Sequence, residues 1–378
     1  MTWEQWLDEQ ATAREAAGLT RRLQPRAADD PTIDLAGNDY LGLAGDPTVR
    51  QAAADAALTW GGGAGASRLV TGTLDLHDQL EHELADYLGQ PSALVLSSGY
   101  AANLAVVTAL ADRSTHVISD AHIHASLVDA ARLSRARLTV VPHSDVAAVR
   151  DALEVSTGST ASAGERALVL AESVYSVLGD AAPLADLADL CASYDALLVV
   201  DEAHGLGVHG PGVVARSGLA GHPHVVVTAT LSKSLGSQGG AVLGPPALRE
   251  HLVNRARPFI FDTALAPAST AAALAALGVL RARPELSDLV RKRVRTLADA
   301  LGVVTPDGAV LSIPMPSPQA AVTAQAAALA DGVRVGCFRP PSVPDGISRL
   351  RATASAGIAS ADWDHAVAVL VTVAKEHQ

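Results

Sequence analysis

The sequence predicts an α/β fold, with a large domain on a mostly parallel sheet followed by a smaller α+β domain. From about residue 46 to about residue 270, short β-rich runs alternate with helical stretches, the arrangement that builds a helix-covered parallel sheet. Those runs are almost continuously apolar, as strands buried on both faces are. After about residue 271 an Ala/Leu-rich helix leads into shorter β-like runs, so the boundaries fall near residues 45 and 270. A chain of 378 residues, 49% hydrophobic, is long enough for a large core divided between two such parts.

The strands read, in order, SALVL (92–96), ALVLA (167–171), ALLVV (196–200), HVVVTA (224–229) and AVLG (241–244). Between them, PLADLADLCASYD (183–195) spaces Leu184, Leu187, Leu190 and Cys191 as one helix face, with Pro183 near its start. The Ser/Thr/Gly cluster STGSTASAGE (156–165) reads as a surface loop. In the last third, RARPELSDLVRKRVRTLADAL is helical, and β-like runs follow around 309–315, 333–338 and 348–353. Aromatic residues are only 3% of the chain, so Ala, Val and Leu must fill the core through close helix packing.

The formal net charge of -12 argues against a nucleic-acid partner, whose phosphates demand clustered Lys and Arg. Cys191 and Cys337 lack both metal-ligand spacing and a disulfide framework, and a reducing, cytoplasmic setting is expected. The start MTWEQWLDEQ is acidic where a signal peptide would be basic, and no apolar run reaches the length of a membrane span.

The chemistry gathers on four segments. VVVTATLSKSLGSQGG (225–240) places Lys233 just past a buried strand among small residues. Desolvation lowers a lysine pKa, and the neutral amine attacks aldehydes. A lone lysine there is usually a solvated charge, so the second segment matters. In LLVVDEAHGLGVHG (197–210), Asp201 ends an apolar strand, half-buried, and His204 follows one turn on. Open α/β sheets bind ligands at the carboxyl ends of their strands. A pyridoxal 5'-phosphate (PLP) ring needs such an acid to keep its pyridine nitrogen protonated, and His204 is placed to reach the ring's phenolic oxygen. Taken singly, Asp201 reads equally well as a helix N-cap and His204 as a structural histidine. The third segment, LVLSSGYAANLAVVTAL (94–110), runs strand, turn and helix, so backbone N–H groups at Ser98, Gly99 and Tyr100 suit a phosphate. A fourth, ISDAHIHASLVDAARLS (118–134), supplies His122 and His124; an imidazole here can stack on the ring. No acidic or cysteine ligands accompany the pair, so no metal is expected.

These segments, in this order, resemble the α-oxoamine synthase family of fold-type-I PLP enzymes. The likeness runs nearly end to end, through GNDYLGLAGDP (37–47), GAGASRLVTGTLDLHDQLEHELA (63–85), SSGYAAN, DAHIHASLVDAA, ESVYSVLGDAAPL (172–184), VDEAHGLGVHGPG (200–212), TLSKSLGSQGG, FRPPSVPDG (338–346) and SRLRATASA (348–356). It implies a seven-stranded, mostly parallel sheet in a cofactor domain at 46–270. A small domain at 271–378 would be joined by residues 1–45, which also reach the substrate entrance. It further implies that Lys233 holds PLP as a Schiff base, Asp201 pairs with the ring nitrogen, His124 stacks on the ring and His204 meets its phenolic oxygen. Ser98, Gly99, Tyr100, Ser176 and Thr230 would complete the cofactor shell, with Thr263 entering from the second chain of a homodimer. Arg351 would take the amino-acid carboxylate, a task suited to a guanidinium fork, and Asn38 would also bind substrate. The chain departs from the family at Val177-Leu178, where Met-Asp is frequent, and at Asp262, where a hydroxyl residue is frequent.

The implied reaction joins an amino acid to an acyl thioester with loss of carbon dioxide. The start MTWEQWLDEQATAREAAGLTRR resembles the biotin-pathway branch, in which Arg21 and Arg22 would meet the far carboxylate of a pimeloyl chain. L-alanine and pimeloyl-CoA, or the pimeloyl thioester of an acyl carrier protein, are therefore the expected substrates. Glycine with acetyl-CoA is the alternative within the family, and a catalytically silent scaffold subunit is the alternative outside it.

Overall fold

In the computed structural model, which describes residues 1–17, 19–21, 23–157, 166–340, 342–343 and 345–377, the chain gathers into two compact units, Met1–Thr32 and Ile33–Gln378. The first contains the helix Trp3–Ala16, with no buried residue. A capping box starts it: the Thr2 hydroxyl accepts from the Gln5 N–H at 3.2 Å, and the Gln5 side chain accepts from the Thr2 N–H at 2.8 Å.

The second unit is organised by a seven-stranded sheet in the order Ser92–Leu96, Gly240–Gly244, Val225–Thr230, Leu197–Asp201, Arg166–Glu172, Thr115–Asp120, Arg137–Val141. Only Gly240–Gly244 runs against its neighbours; the remaining pairings are parallel. Each of the five apolar runs read from the sequence is a strand here. Two more, Thr115–Asp120 and Arg137–Val141, complete the sheet. Their polar residues concealed them: His116 is buried, yet satisfied by Ser156 and Thr139.

Helices cover the sheet, and small side chains let them approach closely. Pro267–Ala282 buries Ala271, Ala272, Ala273 and Ala276 and packs against Pro47–Trp60. The helix expected at 183–195 spans Leu184–Ser193 with Pro183 as its N-cap. The helix Val146–Thr157 takes in the first two residues of the expected 156–165 loop; residues 158–165 lie outside those described. Beyond residue 300, Val310–Pro314, Gly336–Phe338 and Arg349–Thr353 form a three-stranded antiparallel sheet, and Val333–Arg334 pairs in parallel with Ile33–Asp34. Among the described residues, no helix is long and apolar enough to cross a membrane.

Candidate active site

The parallel strands end along one edge, and four of the six end in polar residues: Asp120, Glu172, Asp201 and Thr230. Glu172 and Asp201 are register partners on adjacent strands. Asp201 is more deeply buried than the sequence suggested, 6% exposed. Its two oxygens are separately held: Oδ1 accepts from the Ala203 N–H at 2.9 Å, Oδ2 from Asn103 Nδ2 at 2.7 Å.

Lys233 lies in the loop that leaves the Val225–Thr230 strand, and its Nζ is 2.8 Å from His204 Nε2. Burial pushes the ammonium down to about 8, against the pull of Asp201 and Glu172. His204 is fully enclosed, and burial with the neighbouring Lys233 charge drives its pKa well below the usual imidazole range. It is therefore neutral, accepting from Lys233 at Nε2. Its Nδ1 is 2.7 Å from the hydroxyl of Tyr40, which donates in turn to Asn38 Oδ1 at 2.9 Å. That oxygen also accepts from Arg351 Nη2 at 3.1 Å, while Arg351 Nε donates to the Ser176 carbonyl at 2.9 Å. Lys233, His204, Asn38, Ser176 and Arg351 thus belong to one connected network, although their sequence positions span more than 300 residues.

His124 caps the helix Ala125–Ser134 and accepts at Nδ1 from Ser126, through the hydroxyl at 2.7 Å and the N–H at 3.2 Å. Burial lowers its pKa, with Asp201 opposing and the Lys233 charge assisting. His122 goes elsewhere: it stacks on His143 with ring centroids 3.9 Å apart. His143 bridges Asp120 at 2.9 Å and Asp180 at 2.7 Å, and these carboxylates raise its pKa to about 9 against the opposing effect of burial.

The helix Gly99–Leu110 begins at the same edge, with Ser98 as N-cap accepting from the Ala101 N–H at 3.0 Å. Space here is reserved for backbone. A Cβ on Gly99 would meet Thr230 Cβ at 3.0 Å, and one on Gly240 would meet the Ser98 carbonyl oxygen at 2.4 Å. Tyr100 is 44% exposed and bonds Asp129 through its hydroxyl. Thr263 is exposed and forms an isolated bridge with Ser67, beside Asp262, which accepts from the Ser97 hydroxyl. Arg21 lies in the Met1–Thr32 unit, where it is exposed; Arg22 lies outside the described residues.

Three participants escaped the sequence reading. Asn103 is a buried amide in an otherwise apolar helix. Glu172 ends its strand just as Asp201 does, and its Oε1 is buried without a partner. Burial and the nearby Asp201 raise the Glu172 pKa well above its ordinary value, favouring the protonated form. Tyr40, fully buried with a pKa pushed up to about 12, links His204 to Asn38. A polar residue inside an apolar run was the available signal for Asn103, and strand-end position was the signal for Glu172.

PLP fits this arrangement part by part. A desolvated amine suits its aldehyde and an enclosed carboxylate suits its ring nitrogen. A helix N-terminus lined by glycine suits its phosphate.

Comparison with known proteins points the same way. The family model for aminotransferase class I and II matches residues 30–370. The chain is 54% identical over 371 residues to 8-amino-7-oxononanoate synthase of Mycolicibacterium paratuberculosis, covering 97% of this chain and 96% of the relative. It is 53% identical over 372 residues, with the same coverage, to the synthase of that name from Mycolicibacterium smegmatis. Among solved structures, a serine palmitoyltransferase variant from S. paucimobilis with bound PLP superposes with a TM-score of 0.89 at 28% identity, covering 98% of this chain and 97% of that one. The 8-amino-7-oxononanoate synthase of Francisella tularensis gives 0.77 at 26% identity, covering 92% and 98%.

Proposed function

The chain belongs to the aminotransferase class I and II family, and from that premise we propose that it is a PLP-dependent acyltransferase of biotin biosynthesis. It joins L-alanine to a pimeloyl thioester, releasing carbon dioxide and the thiol carrier, and yields 8-amino-7-oxononanoate. The observation that carries the reading is Lys233 Nζ, 2.8 Å from a neutral His204 at a strand edge that also presents the enclosed Asp201. Full-length relatives at over 50% identity carry the name of this activity, so neither glycine acetylation nor a silent scaffold is favoured.

When bound, PLP supplies an aldehyde that captures amines and a conjugated ring that accepts an electron pair. Lys233 would hold PLP through that aldehyde, and its amine, poised near neutrality, would serve as the base for the alanine Cα proton. Asp201 would keep the ring nitrogen protonated, His204 would meet the phenolic oxygen and His124 would cover the ring face. Ser98, Gly99, Tyr100 and Thr230 would hold the phosphate together with Thr263 of the partner subunit, so the working form would be a homodimer. Ser176 lines the cofactor shell and fixes Arg351 through its carbonyl. Arg351, with Asn38, grips the alanine carboxylate, and that grip orients the Cα–H bond. The pimeloyl chain would be delivered on coenzyme A or on an acyl carrier protein. Residues 46–270 would carry the cofactor machinery, 271–378 supply Arg351, and 1–45 supply Asn38. The setting we assign is the cytoplasm.

The decisive experiment incubates the PLP-loaded chain with L-alanine and pimeloyl-CoA and follows 8-amino-7-oxononanoate by mass spectrometry. Product is expected from the native chain and none from Lys233→Ala. Faster turnover of glycine with acetyl-CoA would overturn the substrate assignment.

A further inference from the structure

Asn103 lies four residues into the helix Gly99–Leu110, is 2% exposed, and uses every polar atom of its side chain. Its Nδ2 donates to Asp201 Oδ2 at 2.7 Å and to Ser126 Oγ at 2.9 Å, and its Oδ1 accepts from the Thr228 hydroxyl at 2.6 Å. The amide cannot be turned over, because its oxygen would then face the Asp201 carboxylate with no hydrogen between them. Directions follow along the chain of bonds. Ser126 Oγ receives the Asn103 hydrogen, so its own hydrogen is free for His124 Nδ1 at 2.7 Å, where the Ser126 N–H already points from 3.2 Å. Two donors on Nδ1 place the His124 proton on Nε2.

We propose that Asn103 is a positioning residue serving both groups that flank the ring site: it orients Asp201 directly and fixes the proton of His124 through Ser126. The two effects come from one amide but follow separate routes. A change at Ser126 disturbs His124 alone, while a change at Asn103 disturbs both. The assignment to the ring site rests on the PLP reading above; the directional chain from Thr228 to His124 does not.

The test labels the chain with 15N-histidine and records long-range imidazole spectra with and without PLP. His124→Gln identifies the His124 signals among the thirteen histidines. The native chain should show His124 as the Nε2–H form. The titratable and charged groups facing His124 are Asp201, Asp129, Lys233, His204 and Glu172, whose carboxyl accepts from the His124 backbone, and none of them is substituted in the variants. In Ser126→Ala the hydroxyl donor that opposes protonation of Nδ1 is gone; in Asn103→Ala that hydroxyl is free to turn and accept. Each should raise the His124 titration midpoint by about half to one pH unit, and the double variant should add nothing further. PLP affinity, titrated into the PLP-free chain, should fall roughly tenfold or more in Asn103→Ala and stay within about threefold in Ser126→Ala. Thr228→Val, which removes only the anchor behind Asn103, gives a milder version of the Asn103 result if Asn103→Ala folds poorly. An Nδ1–H form in the native chain, unmoved titration in both single variants, or equal PLP affinity in the two would overturn the proposal. A native chain that binds no PLP would overturn the site reading instead, with the His124 result still standing on its own.

Discussion

Gly240 offers the sharpest test of how tightly the proposed phosphate cradle is built. It opens the Gly240–Gly244 strand between Leu96 and Thr230, and a methyl group there would sit 2.4 Å from the Ser98 carbonyl oxygen and 2.5 Å from the Gly99 nitrogen. Ordinary contact begins near 3.4 Å, so Gly240→Ala must move the Ser98–Gly99 backbone by about 1 Å, because no flexible side chain can give way. Overpacking of this kind costs about 1–3 kcal/mol of stability, and a displacement of that size at a binding site costs roughly a hundredfold. We expect PLP titrated into the PLP-free variant to bind about 10–100-fold more weakly, with a lower melting temperature. Gly278→Ala is the matched control: Gly278 is exposed within the Pro267–Ala282 helix with nothing within 4 Å of an added Cβ, so it should gain about 0.5–1 kcal/mol. Native PLP affinity and native melting in Gly240→Ala would refute the reading of Ser98–Gly99 as the phosphate cradle.

Other perturbations have equally definite signs. Arg351→Lys loses the fork that bonds Ser176 and Asn38, so KM for alanine should rise about 10–100-fold, as steady-state kinetics will show. Lys233 titrates near 8, so capture of PLP by the PLP-free chain, followed by absorbance, should quicken with each pH unit below 8 and level off above it. The folded-state pKa of His143 is raised to about 9. Its contribution to stability is therefore fully present below the ordinary histidine pKa and disappears as pH climbs through about 9. Urea melts of the native chain and His143→Asn should differ at pH 6 and converge by about pH 10. Because burial favours the uncharged form of Glu172, Glu172→Gln should leave neutral-pH melting within about 1 kcal/mol of native, whereas Glu172→Ala should lower it.

The sequence made the sheet legible where strands are uniformly apolar and obscure where they are not. Leu197–Asp201 and Val225–Thr230 stand out, while Thr115–Asp120 mixes Thr115, His116, Ser119 and Asp120 with its apolar residues, and Arg137–Val141 lies on the sheet edge with exposed side chains. The lysine, its strand-end acid and the following histidine were visible because each sits in a short segment whose local chemistry is unusual. Asn103 offered only the signal of a polar residue in an apolar run; its partners lie 23, 98 and 125 residues away, and no local pattern encodes such distances. Tyr40 is similar: 164 residues separate it from the His204 it touches.

The strand Ser92–Leu96 has one neighbour, Gly240–Gly244, and the Ser92 hydroxyl bonds a carbonyl 152 residues further along. During synthesis the ribosome therefore releases SALVL long before anything exists to pair with it. Until residues 240–244 have been made, this oily ribbon carries open amide and carbonyl groups, a template for pairing with other nascent chains. Late closure of so distant a pairing slows folding. The demand for chaperones should accordingly be greatest for a ribosome stalled just short of residue 240, and should ease once the reversed strand has emerged.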